Sequence, residues 1–334
     1  MRPYQQSHVR DSSQESGRAP DCVARSFWHG PFSPYEALCL SSFVAAGVQV
    51  ELFSEAPVPG LPDGVTRRNA REILNEEVAF YRHECDGPSP ALHANHFRYA
   101  LLETLGGWWI DTDMLLIASS LPTADIFLAR QSDQELNISV MRFPRGHPLM
   151  KEARRRTAAG LENARWGDTG PKLITELQPA YEPDLPTAPR QSCYAIGPDE
   201  FEKFLLPEAR DEIEERTMNS TFVHLWNEMW RKAGIPKNIA PPKGCWLDRM
   251  FERHPIPVVW SDRLDAVYVE RWAALRRDRD HAGHYNLVHD RELTGLRAEK
   301  DALENARFFG VTRTLRNLRT GVRKRLKEVH DNLK

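Results

Sequence analysis

Apolar and polar positions change period twice between residues 23 and 54. The stretch VARSFWHGPFSPYEALCLSSFVAAGVQVELFSE opens like a strand, turns at Pro31 and Pro34, runs on as a helix and ends in a second alternating strand, VQVELF. Pro34 suits the first turn of that helix, Leu38, Ser41, Ser42 and Ala45 keep helical spacing, and Gly47 can cap it. PVPGLPDG is a loop by its proline and glycine content. AREILNEEVAFYRHE then predicts an amphipathic helix with Ile73, Leu74, Val78 and Tyr81 on one side.

A further helix is predicted over ALHANHFRYALLETLGG, with Leu92, Phe97, Ala100, Leu101 and Leu105 as its stripe and the glycine pair as its stop. WWI follows as a short strand and MLLI as strand or sheet edge. DIFLAR, NISVMRF and SCYAIGP have strand character, while HPLMKEARRRTAAG and GPKLITELQ have helix character. Strands and helices intermix throughout, which is the α/β pattern. At the end, Val311, Leu315, Leu318, Val322, Leu326, Val329 and Leu333 recur at steps of three and four. Basic side chains dominate the other faces, so residues 301–334 form a basic amphipathic helix in this reading. Such a helix suits peripheral contact with an anionic membrane, a coiled-coil seam or packing on the domain.

With 334 residues, 41% hydrophobic and 28% charged, the chain can fill a substantial core. Lys plus Arg number 45 and Asp plus Glu 47, a balance that offers no global nucleic-acid signature. The five cysteines are scattered without a C-x-x-C pair, so neither a disulfide framework nor a zinc cluster is expected. Residues 1–22 are polar and lack the apolar core of a signal peptide; they are expected to be a disordered leader. A reducing, cytoplasmic setting fits these features, with residues 23–300 as the main domain.

The chemistry concentrates in GGWWIDTD, residues 106–113. Ligands of open α/β sheets bind beyond the carboxyl ends of strands, where this motif places Asp111 and Asp113. Two carboxylates held so close raise each other's pKa unless a cation intervenes, and Mg²⁺ and Mn²⁺ favour such oxygen ligands. A bare D-x-D is common in turns, but here a helix carrying Arg98, a double-glycine stop and an aromatic strand precede it. A D-x-D phosphatase with an aspartyl nucleophile is a rival reading, although its motif would sit on the opening strand. The histidines of HAGHYNLVHD (His281, His284, His289) fit a solvated loop.

The stretch NHFRYALLETLGGWWIDTDMLLI resembles the D-x-D region of the family 32 glycosyltransferases, matching at Arg98, Tyr99, Leu102, Gly106, Gly107, Asp111 and Asp113. SFWHGPFSPY, WGDTGPKLITEL and VHLWNEMW resemble further segments of that family, in the same order. The resemblance implies a GT-A fold, an α/β domain with a mixed central sheet flanked by helices. It implies a retaining hexosyltransferase using a UDP- or GDP-hexose, Mn²⁺ or Mg²⁺, and a glycan or lipid-linked acceptor. By the same resemblance Asp111, Asp113 and His224 hold the metal. Arg98 meets the donor, as do Trp28, Asn95, Trp109 and Trp230, while Asp168, Thr169 and Gly170 border the acceptor. Asn95 stands where the family pattern has an aspartate, which motivates a nonenzymatic nucleotide-sugar binder as a second rival reading.

Overall fold

The computed structural model describes residues 23–81 and 89–276, together with positions 295, 298, 326 and 327. The leader and almost all of the basic C-terminal segment, with its expected helix, lie outside the described residues, as does the HAGHYNLVHD loop. The chain divides into a unit Met1–Ala266 and a second, Val267–Lys334. In the described part of the second, a helix continues through residue 276.

The first unit opens as expected: β1 (Val23–Phe27), α1 (Pro34–Ala45) and β2 (Gln49–Ser54). Ser33 and Glu36 form a reciprocal capping box around Pro34, fixing where α1 starts. After it come β3 (Val65–Asn69), α2 (Ala91–Thr104), β4 (Gly107–Ile110), β5 (Met114–Leu116), β6 (Phe127–Arg130) and β7 (Leu136–Phe143). The rest comprises α3 (Pro148–Gly160), α4 (Pro171–Tyr181), α5 (Arg210–Thr217), β8 (Phe222–His224), α6 (Asn227–Ala233) and α7 (Trp246–Arg253).

Six strands form one sheet in the order β3-β2-β1-β4-β7-β6. The first four pair in parallel, and β7 and β6 join antiparallel. This is the expected α/β class with a mixed sheet. A separate two-stranded ribbon pairs β5 with β8, setting Met114 opposite His224.

The double tryptophan follows from the period of a strand. Consecutive residues of β4 face opposite sides. Trp109 enters the core beneath α2, α3 and α4, while Trp108 enters the core shared with α1 and the ribbon. The glycines have their own reason. Gly106 and Gly107 take φ of +68° and +81°, and a Cβ on Gly106 would lie 2.5 Å from the backbone nitrogen of Arg145. Only glycine suits that position.

Two expected elements are absent. Residues 70–81 do not form an amphipathic helix, and residues 82–84 of the expected one lie outside the described residues: only one 3-10 turn, Ala70–Glu72, follows Asn69 before the chain becomes irregular up to Tyr81. SCYAIGP is not a strand either; a 3-10 turn at Arg190–Ser192 leads into a buried bend at Cys193 and Tyr194. Conversely, β3 lies within a stretch that had no strand signal, because its residues VTRRN are largely exposed at the sheet edge. No helix among the described residues is long and apolar enough to cross a membrane.

Candidate functional site

At the carboxyl end of β4 the chain makes a tight turn. The Asp111 N–H donates to Ser139 O at 2.7 Å, and the Met114 N–H returns to Asp111 O at 3.1 Å. That turn projects Asp111 and Asp113 together, and the β5–β8 ribbon brings in His224. One ligand atom from each of the three lies within 4.8 Å of the others.

Each carboxylate uses one oxygen for positioning. Asp111 Oδ1 accepts from Arg98 Nη2 at 2.6 Å and from Trp109 Nε1 at 2.7 Å. Asp113 Oδ2 accepts from the Asn227 N–H at 2.8 Å and lies 3.1 Å from His224 Nε2. Oδ2 of Asp111 and Oδ1 of Asp113 take no part in these bonds. Asp111 keeps 27% of its side-chain surface exposed, whereas Asp113 and His224 keep 10% each, so Asp111 is the one of the three that faces outward.

The trio fits a divalent cation. Two acidic oxygens and an imidazole are a donor set for a divalent cation. His224 Nδ1 is buried without a hydrogen-bond partner among the described residues. Burial pushes the Asp111 carboxyl above its usual range, and the Arg98 charge only partly opposes this. Burial acts on Asp113 too, but His224, the Asn227 N–H and Lys237 together outweigh it and hold the carboxyl low.

Arg98 is almost completely buried in α2. Its guanidinium stacks over Trp109 at 4.8 Å, Nη1 donates to Asn95 Oδ1 at 3.1 Å, and buried Nε has no partner among the described residues. Asn95 donates in turn to the Tyr81 hydroxyl at 3.3 Å and Thr169 Oγ1 at 3.1 Å. One hydrogen-bonded line thus joins Thr169, Asn95, Arg98 and Asp111. Gly170 follows as the N-cap of α4, and Asp168 is exposed, accepting from the Arg165 N–H at 3.0 Å.

A second line approaches from the other side. Asn227, whose N–H holds Asp113, donates from Nδ2 to Glu36 Oε1 at 2.9 Å and accepts from Lys237 Nζ at 3.0 Å. Lys237 also pairs with Glu36 and lies 6.0 Å over the Trp28 ring. Half-buried Trp28 donates to Gly30 O. Trp230, by contrast, is enclosed among Tyr35 and Phe201, and its Nε1 donates to Leu225 O at 2.7 Å. Glu36 and Lys237 were not among the expected site residues, and Tyr81 was expected only on the face of a helix. The S-P-Y-E capping box was a visible signal for Glu36, but nothing local marked Lys237.

Comparison with known proteins adds to this geometry. Residues 142–254, from the end of β7 through α7, match the family model described as the alpha 1,4-glycosyltransferase conserved region. The match spans less than half of the chain. The region includes His224 and Asn227, while the aspartates precede it. A curated relative, lactosylceramide 4-alpha-galactosyltransferase of Pongo pygmaeus, is 26% identical over 143 residues. The match covers 39% of this chain and 65% of the relative, so less than two thirds of that protein's length is represented. Among solved structures, the PaToxG glycosyltransferase gives a TM-score of 0.37 at 12% identity, covering 49% of this chain and 70% of its own. An active-site mutant of LgtC gives 0.35 at 13%, covering 72% and 97%. GlyE of Streptococcus pneumoniae TIGR4 gives 0.34 at 10%, covering 76% and 63%.

Proposed function

We propose that the chain transfers a hexose from a nucleotide-diphosphate sugar, with UDP- and GDP-hexoses as candidate donors, to a hydroxyl of a glycan or lipid-linked acceptor. The observation that carries this is the Asp111, Asp113 and His224 trio beside buried Arg98, in a chain whose residues 142–254 match the alpha 1,4-glycosyltransferase conserved region. Asp111, Asp113 and His224 would hold Mn²⁺ or Mg²⁺. When bound, the ion supplies Lewis-acid neutralisation of the departing pyrophosphate.

The chain's own residues do the rest. Arg98, stacked on Trp109 and pinned to Asp111, orients that carboxylate and places a buried positive charge behind the donor phosphates. Trp28, with Lys237 above its ring, presents a face for the base, and Lys237 adds positive charge on that side. Asn95 is neutral and already committed to Arg98, Tyr81 and Thr169, so we assign it the placing of the guanidinium and of the acceptor-side segment 168–170. Trp109 and Trp230 are enclosed and hold the walls of the site. Attack from the leaving-group side, with a phosphate oxygen taking the acceptor's proton, gives a retained anomer.

Release of nucleoside diphosphate from a panel of UDP- and GDP-hexoses tests the proposal. Release should require Mn²⁺ or Mg²⁺ and fall by about 10²–10³-fold in Asp113→Ala. Equal release without metal, or from the variant, removes the proposal. Donor binding without turnover supports the nonenzymatic reading instead. NMR of the product anomer tests retention, and an inverted product excludes the same-side attack.

A further inference from the structure

A cavity of about 190 Å³ opens between the β6–β7 turn and the segment following the Arg190–Ser192 turn. Its lining includes Gln131, Ser132, Glu135, Arg190, Tyr194 and Trp226. We propose that it is the subsite for one neutral pyranose ring of the acceptor. This rests on the transferase reading and deepens it.

The wall of the cavity is the wall of the metal trio. The Trp226 ring lies 4.0 Å from that of His224, and the Tyr194 ring 5.8 Å from it. The Tyr194 hydroxyl meets Ser139 Oγ at 2.8 Å, and the Ser139 carbonyl receives the Asp111 N–H. A ring bound here is thus one aromatic side chain away from the proposed cation.

Trp226 is also the one non-glycine with positive φ among the described residues, at +60°. A bulky residue in that region is strained, and such strain concentrates at ligand sites. Its indole is held across the gap by a hydrogen bond from Nε1 to Ile196 O at 3.0 Å.

The lining chooses the ligand class. A pyranose has an apolar C–H face and a rim of hydroxyls that both donate and accept. Aromatic surface beside a carboxylate and a guanidinium complements both parts, while the Gln131 amide is already bonded to Glu135 and Asn137 and holds that carboxylate in place. Arg190 Nε is committed to Tyr194 O at 3.1 Å, and Glu135 adds negative charge, so a phosphate is disfavoured relative to a neutral ring. The volume selects too: pockets for drug-sized ligands run about 300–1,000 Å³, so this one suits a single sugar ring.

Saturation-transfer NMR on the full chain with Mg²⁺ and UDP or GDP tests the subsite, using methyl glycosides of glucose, galactose, mannose and N-acetylglucosamine as probes. At least one probe should show transfer. Glu135→Ala should weaken it about tenfold through a lost charge-assisted hydrogen bond. Ser132→Tyr, which fills the mouth, should do the same by exclusion. Thermal melting confirms that each variant is folded, and either folded variant suffices for the test. Transfer to none of the probes, or transfer undiminished in a folded variant, overturns the proposal. A separate titration of the wild-type chain with metal and nucleotide tests the transferase reading. Sugar contact without nucleotide binding would remove that reading and leave a sugar-binding cavity.

Discussion

Glu36→Gln is a one-atom change at the base of the site. Glu36 is 1% exposed and accepts from three donors: the Ser33 N–H at 2.9 Å, Asn227 Nδ2 at 2.9 Å, and Lys237 Nζ. A glutamine has one oxygen, and its NH₂ must face a donor whichever way it is turned. Turned one way it loses the capping bond of α1; turned the other it faces both Asn227 and Lys237. Losing a hydrogen bond to a charged group costs about 1.5–3 kcal/mol, and a cap typically about 1 kcal/mol. Lys237 keeps only 23% of its side chain in solvent, so its charge also loses its main compensation. We expect a loss of about 2–4 kcal/mol in unfolding free energy, measured by urea titration with circular dichroism. A double-mutant cycle with Lys237→Met should show coupling of about 0.5–3 kcal/mol. A loss below about 0.5 kcal/mol, typical of an unremarkable surface change, refutes the reasoning.

Gly106→Ala should destabilise by at least about 2 kcal/mol in the same titration, because positive φ and contact with the Arg145 backbone act together. Arg98→Lys should retain a charge but lose the fork joining Asn95 to Asp111, lowering kcat/KM for donor hydrolysis by about 10²-fold. Burial holds His93 and His96 near a pKa of about 4, against an ordinary 6.5, with His96 further opposing His93 and Arg154 opposing His96. The folded chain therefore binds fewer protons than the unfolded chain in that window, and stability should fall as pH drops from 6.5 towards 4. His96→Gln should flatten the slope of urea-derived stability against pH; an unchanged slope would count against this assignment.

The opening β-α-β unit was legible because Pro34, Gly47 and the alternation of VQVELF each agree with the fold. The glycine and aspartate motif was legible because its steric demands are local: two left-handed positions, a strand and a turn. Elsewhere local pattern misled. Ile73, Leu74, Val78 and Tyr81 have helical spacing, yet Ile73 and Leu74 join the core beneath α2 while Tyr81 bridges to Ser89 and bonds Thr169. Those contacts are nonlocal and override the period. Cys193 and Tyr194 are as buried as strand residues, but their burial comes from a bend against β7. In the candidate site, Arg98, Asp111 and Asp113 were readable from one stretch and His224 only through the family resemblance, whereas Lys237 and the cavity beside Trp226 exist only once distant segments meet.

His224 follows Asp113 by 111 residues, and they meet only because the three-residue strands β5 and β8 pair. A growing polypeptide that has not yet emitted β8 carries the carboxylate pair without its nitrogen. Ion capture would then be a late event in maturation, and the captured ion a staple between early and late halves of the sequence. Chelation should loosen that ribbon first, and amide exchange at Leu115 and Val223 would register it before the main sheet responds.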